Sequence, residues 1–218
     1  MKTALVFGSS GLIGGHLLSQ LIENDDYNKI KIFVRSEPEI NDPKVEIIKT
    51  DFNNLENHKE DIKGDDCFFC IGATKQNSPD KNEYRRVELD VPKQIAQIAK
   101  SNSVNSFLFV SSGYADPKSS GDYLKFKGEV EEELKRLNFS KLGIMRPSFL
   151  LGDRKEKRVG EKIGIFVFKL LSPLFLGPLK KMKPIHSATV AKAMIRTANE
   201  DLEKNIFESN EIAELVLN

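Results

Sequence analysis

An apolar run, Lys2–Phe7, breaks directly into Gly8-Ser9-Ser10-Gly11-Leu12-Ile13-Gly14, and Leu12, Ile13, Leu17, Leu18, Leu21 and Ile22 then recur at helical spacing. Few folds accommodate a strand, a glycine turn and a helix in that order. Gly8 stands where the chain must turn tightly off the strand, Gly11 where a Cβ would block an approaching phosphate, and Gly14 where the helix must lie close to a sheet. The free N–H groups and positive end of such a helix face an anion held on the turn. The expected ligand is the pyrophosphate of a dinucleotide. The spacing is G-x-x-G-x-x-G, one residue wider at its start than the usual fingerprint. Taken alone, three glycines in seven residues also suit a flexible surface turn.

The rest of the chain repeats the alternation. Lys29–Val34 and Val45–Lys49 read as second and third strands, and Asp66–Cys70 as a fourth after a charged stretch. A long helix is expected over much of Asn82–Lys100, with Ile95, Ile98 and Ala99 on its inner face and Pro92 marking a bend or start. Strand Ser106–Ser111, helix Tyr123–Leu137 and strand Leu142–Arg146 complete the series. This order predicts an α/β fold: a doubly wound Rossmann-type parallel sheet with right-handed crossovers and strand order 3-2-1-4-5-6. Beyond Leu151 the pattern loosens into a charged, glycine-flanked stretch, an apolar segment and a helix over Thr189–Asn199, then Asn205–Phe207 as a last short strand. Ligands of open α/β sheets sit beyond the carboxyl ends of the strands. Residues 151–185 are therefore expected as a lid or wall on the substrate side of one domain, 1–218.

A chain of 218 residues with 39% hydrophobic and 30% charged residues can bury a substantial core, and a net charge of +1 supplies no reason to expect a nucleic-acid partner. The longest apolar segment, Ile163–Leu176, is interrupted by Lys169 and Pro173 and is too short to span a bilayer. It reads as a core or pocket-covering helix, with a peripheral membrane contact as the alternative. The first strand starts at Lys2, which leaves no room for a secretory leader. Cys67 and Cys70 form a C-x-x-C, but on a strand these positions point to opposite faces, about 10 Å apart. A disulfide needs Cα atoms within roughly 7 Å, so both are expected reduced, in a cytoplasmic protein. His16, His58 and His186 have no metal-ligand spacing, and no metal is expected. His186, after Pro184-Ile185, is a candidate for the border of the pocket. Lys155, Lys157, Arg158, Lys180, Lys181 and Lys183 read as solvated charges around the late loops, or as a field drawing an anionic substrate to the cleft.

Tyr123 and Lys127 are four apart and share one helix face. A tyrosine beside an ammonium can pass a proton to or from a carbonyl or alcohol oxygen at neutral pH, and the same lysine can hold a nicotinamide ribose. Ser111-Ser112 closes the preceding strand, where a hydroxyl can fix the substrate oxygen. In a lysine-rich chain a Y-x-x-x-K also occurs as a plain solvated helix face. At the end of the second strand Val34 is followed by Arg35, where an acid would grip a ribose 2′-hydroxyl and an arginine favours a 2′-phosphate. NADP is the expected cofactor, with NAD next; a surface pairing of Arg35 with Glu37 is the structural alternative.

Together Gly8-x-x-Gly11-x-x-Gly14, Ser111-Ser112, Tyr123-x-x-x-Lys127 and Arg146-Pro147-Ser148 resemble the short-chain dehydrogenase/reductase superfamily in its extended or atypical branch. Cys70-Ile71-Gly72-Ala73-Thr74, Tyr123–Glu131 and Leu151-Gly152-Asp153-Arg154 are similar to the Tat-interacting-protein oxidoreductases of that branch. The resemblance covers the chain to about Asn199. It implies that Ser112, Tyr123 and Lys127 are the catalytic set. It also implies that Cys70, Ile71 and Gly72 pass beneath the nicotinamide ribose, that Asp51 and Phe52 contact adenine, and that Pro147 and Ser148 turn beside the nicotinamide. The activity expected is NADP-dependent hydride transfer to or from a small-molecule carbonyl or secondary alcohol. A non-catalytic NADP(H)-sensing protein with a regulatory protein partner is the second expectation, and sugar-nucleotide epimerisation the third. Helices Asn82–Lys100 and Tyr123–Leu137 are candidates to pair in a homodimer.

Overall fold

Strand β1 (Lys2–Phe7) is the centre from which the sheet grows. The computed structural model describes residues 1–73, 80–151 and 183–217. β1 is followed by α1 (Leu12–Ile22), β2 (Tyr27–Val34), β3 (Val45–Lys49), a short 3-10 turn (Leu55–His58) and β4 (Asp66–Phe69). Next come α2 (Lys81–Arg85), a π turn over Arg86–Asp90 and α3 (Val91–Ser101), then β5 (Ser106–Val110), α4 (Asp122–Leu137) and β6 (Lys141–Arg146). The remaining described elements are β7 (Leu150–Leu151), β8 (Ile185–His186), α5 (Ser187–Asn199), β9 (Ile206–Glu208) and α6 (Ser209–Leu217).

The main sheet has the order β3-β2-β1-β4-β5-β6-β9, and each neighbouring pair is parallel. The expected order thus holds for six strands. The last short strand adds a seventh beside β6, where Phe207 is the Cα partner of Met145. α6 was not legible in the sequence. It is short, and it is fixed by burial of Ile212 in the core that α5 and α1 share. β7 and β8 form a small separate parallel pair. The expected lid and the apolar segment Ile163–Leu176 lie largely outside the described residues. Among those described, no helix is long and apolar enough to cross a membrane.

Alternation along the strands sends side chains to two opposite cores, as a sheet covered on both faces requires. Ala4, Val6, Ile30, Ile32, Phe68 and Leu108 meet α1 and α5 on one face, whereas Leu5, Phe7, Phe33, Phe69, Phe107 and Phe109 meet α3 and α4 on the other. Register aligns Phe33, Phe7, Phe69 and Phe109 across four adjacent strands. Phe7 stacks on Phe33 with ring centroids 4.3 Å apart, and the row continues through Phe69 at 6.0 Å to Phe109 at 5.9 Å beyond it. This aromatic row runs just beneath the carboxyl edge where ligands bind. Cys67 belongs to the second core and Cys70 packs against the first, and both are free thiols.

Pro92 begins α3 rather than interrupting a uniform helix. Proline has no N–H to return to the carbonyl one turn back, and the turn before it is widened to π spacing over Arg86–Asp90. Glu88, in the middle of that wide turn, is buried.

Candidate functional site

The glycine loop is built as its residue types require. Gly8 has φ +90°, and a Cβ there would come within 2.8 Å of the Cys70–Ile71 peptide. At Gly14 a Cβ would lie 2.0 Å from the Gly8 carbonyl oxygen, so the first turn of α1 can sit on the loop only with glycine there. Gly11 caps α1 with no side-chain hydrogen bond, which leaves the amides of the first turn to a ligand. A cavity of about 300 Å³ opens over this loop. Gly8, Ser10, Gly11, Arg35, Asp51, Phe52, Cys70, Ile71 and Gly72 all line it, nine of the residues anticipated for a cofactor. Ser9, Ile13 and Gly14 are buried behind the wall, and Leu12 is half-buried on the first helical turn.

At the far end of the cavity Arg35 follows β2 and is exposed. No salt bridge to Glu37 forms among the described residues. Phe52 adopts a left-handed φ of 63°, held by its N–H donating to Thr50 Oγ1 at 3.1 Å and its carbonyl accepting from Arg86 Nη1 at 2.9 Å. Asp51 accepts the Asn53 backbone and side-chain N–H groups, both at 2.9 Å, and these bonds hold its carboxyl below the usual range. Arg86 forks Glu83 through Nε at 2.7 Å and Nη2 at 2.8 Å, which lowers the Glu83 carboxyl and raises the guanidinium. Glu83, Arg86, Val87 and Val91 line this wall and were missed in the sequence. Their signal was an i, i+3 acid–arginine pair, which charged helices carry for many reasons.

The catalytic candidates follow the carboxyl end of β5: Ser112 just after the strand, and Tyr123 and Lys127 on α4, with none of the three among the residues that line this cavity. β5 ends at Val110, one residue earlier than expected. Ser111 is buried and donates to Glu131 Oε1 at 2.5 Å, whereas Ser112 is half-exposed with its hydroxyl near the Gly113 carbonyl at 3.3 Å. The two serines therefore divide, one into the scaffold and one at the mouth. Tyr123 lies in the first turn of α4 and is 37% exposed, so its phenol is open to a ligand. Lys127, one turn on, is buried. Its Nζ is 5.9 Å from the Tyr123 ring centroid, 4.9 Å from that of Phe109, and donates to the Val110 carbonyl at 3.3 Å.

One partner of Lys127 had no signal in the sequence. Glu88 Oε2 pairs with the ammonium at 3.0 Å, and the two side chains are 0% and 4% exposed. Burial works against the Lys127 charge, but the Glu88 carboxylate and Tyr123 outweigh it and hold the ammonium above its ordinary pKa. Burial likewise pushes the Cys70 thiol up to about 12.

Pro147 and Ser148 lie outside the cavity wall, tying neighbouring loops together. The Pro147 carbonyl accepts from Gly113 N–H at 3.0 Å, and Ser148 Oγ donates to the Lys183 carbonyl at 2.7 Å. Beneath them Arg146 donates to both oxygens of Glu131 and reaches Glu208 Oε1 at 3.3 Å, joining α4, β6 and β9. Among the described residues no three His, Cys, Asp or Glu side chains converge as metal ligands.

A parallel sheet of this order, with a glycine-cradled helix N-terminus at its carboxyl edge, defines a dinucleotide-binding Rossmann protein. A family model described as NAD(P)H-binding matches residues 8–201, and the chain belongs to that family. The mitochondrial protein FMP52 of Candida glabrata is 31% identical over 229 aligned residues, covering 100% of this chain and 97% of its own. Protein HTATIP2 of Rattus norvegicus is 32% identical over 165 residues, covering 73% of this chain and 67% of its own. The solved structure of MoeE5 in complex with UDP-glucuronic acid and NAD superposes with a TM-score of 0.70 at 17% identity, covering 94% of this chain and 74% of MoeE5. The expectation of a cytoplasmic protein is corrected here. FMP52 relatives from six fungi are named mitochondrial, which overturns it. Reduced cysteines argue against an oxidising compartment but do not by themselves choose the cytosol.

Proposed function

We propose that this chain is an NADP-dependent oxidoreductase acting on a small carbonyl compound or secondary alcohol. The observation that carries it is the placing of Tyr123, exposed, with its ring centroid 5.9 Å from the buried ammonium of Lys127, whose partner Glu88 also accepts the Ala73 N–H of the cavity wall. When bound, the nicotinamide supplies or accepts the hydride. Tyr123 gives or takes the proton at the substrate oxygen, and the Ser112 hydroxyl holds that oxygen in place. Lys127 stands behind the phenol and offers an N–H to the cofactor ribose. Arg35, exposed at the cavity wall, suits a 2′-phosphate.

Fluorescence titration with NADPH and NADH, followed by a carbonyl-substrate screen, tests this. NADPH is expected to bind more tightly than NADH. Tyr123→Phe should lower turnover by about 1,000-fold while leaving NADPH affinity nearly intact. Unchanged turnover in that variant defeats the mechanism. Tight NADPH binding without oxidation across a broad screen instead supports an NADP(H) sensor with a regulatory partner.

A further inference from the structure

Glu88 was absent from every expectation drawn from motifs, yet it touches both halves of the site. Its carboxylate is buried in the π turn between α2 and α3. One oxygen, Oε1, accepts the backbone N–H of Ala73, a residue of the cavity wall directly after Gly72. The other, Oε2, pairs with Lys127 Nζ at 3.0 Å. With Val110 O taking a second contact at 3.3 Å, the ammonium is fixed on two sides. An ammonium has three N–H donors, and the Val110 carbonyl takes one, so N–H groups remain for a ligand. A helix of ordinary pitch would turn position 88 differently, and π turns recur where a fold must aim one side chain.

We propose that Glu88 is a positioning residue: its buried carboxylate aims Lys127 at the dinucleotide ribose and fixes the Cys70–Ala73 wall to the same point. Binding of the dinucleotide and readiness of the Tyr123–Lys127 pair are thereby set by one group. The proposal rests on Lys127 being the ribose-holding lysine. The groups facing the ammonium are Glu88 from the π turn, Tyr123 from α4 and Cys70 after β4, with Tyr84 of α2 facing Glu88. Among the described residues, Glu88 alone is shown to place a carboxylate against it. Without that carboxylate, burial pulls the ammonium toward its neutral form.

The test is a double-mutant cycle read by NADPH fluorescence titration, which needs no turnover. Glu88→Gln and Lys127→Met should each weaken NADPH binding about tenfold. Together they should weaken it no further than Lys127→Met alone, because Glu88 acts through the lysine. As pH rises, Glu88→Gln should also lose affinity at a lower pH than the parent, which a merely structural role would not produce. Parent-like affinity and pH dependence in a folded Glu88→Gln protein overturn the proposal, and so does an additive loss in the double variant. If Lys127→Met binds like the parent, the ribose role of the lysine fails first and the proposal falls with it. Should Glu88→Gln not fold alone, the Glu88→Gln/Lys127→Met double variant, which removes both charges together and keeps an acceptor for the Ala73 N–H, is read against Lys127→Met. Affinity equal to that of Lys127→Met supports the proposal, and a further tenfold loss overturns it.

Discussion

Two acid–lysine pairs, each with a buried carboxylate, stand at opposite ends of the same sheet. At the amino end Asp66, the first residue of β4, pairs with Lys2 at 3.0 Å. At the carboxyl end Glu88 pairs with Lys127 at the same distance. Their surroundings differ. Around Asp66, Lys2 also donates to Ala198 O and Asn199 Oδ1, while the buried Tyr27 hydroxyl donates to Asp66 Oδ2 at 2.7 Å. All these partners are scaffold, and they staple β1, β2 and β4 to the end of α5. Around Glu88 the contacts lead instead to a cavity wall and to a lysine behind an exposed tyrosine. The same chemical parts serve stability at one end and ligand handling at the other. Strand polarity makes the difference, since helix N-termini and crossover loops gather at the carboxyl edge of a parallel sheet.

This contrast can be broken most directly at Asp66. Asp66→Ala should cost about 2 kcal/mol of stability in urea denaturation, because it removes the acceptor of the buried Tyr27 hydroxyl and one of the acceptors of Lys2. NADPH affinity of the folded fraction should stay at the parent value, the reverse of what Glu88→Gln should do. A large affinity loss in Asp66→Ala would show that the two ends are not independent. A smaller effect is expected for Tyr27→Phe, about 1 kcal/mol in the same measurement, since only the hydroxyl is lost. Burial and Asp66 both hold that phenol above its ordinary pKa, so its hydroxyl remains a donor through the whole neutral range.

The least effect is expected at the thiols. Cys70 lines the cavity, but burial raises its pKa to about 12, so the reactive thiolate should be scarce at neutral pH. Alkylation of the folded protein by iodoacetamide should be slow at pH 8 and accelerate as pH climbs toward 12. Cys67, fully buried and raised further, should lag behind it. Rapid labelling of Cys70 at pH 8 would mean that the cavity wall is more open than its packing indicates.

Much of this architecture was legible because its signals are local. Hydrophobic alternation located the strands to within a residue or two, and β3 fell on Val45–Lys49 as expected. The glycine loop was readable because positive φ and close backbone approach admit little else. Arg35 was read from its place after β2, and Asp51, Phe52 and Cys70–Gly72 from the family resemblance; they line one cavity because parallel strands deliver the ends of β2, β3 and β4 to one edge. Glu83, Arg86 and Glu88 were missed for the opposite reason. Charged residues on a helix have no periodicity that says whether they face water or a buried partner.

The sequence by itself determined the parallel sheet, the glycine cradle and the pairing of Tyr123 with Lys127 on one helix face. Each follows from backbone geometry acting over a few residues. Only the tertiary structure decided which serine is scaffold and which stands at the mouth, that a seventh strand joins β6, and that Glu88 is the partner of Lys127. Those outcomes depend on which distant segments pack together. A buried charge also takes its role from its neighbours, because only they can replace the water it has lost.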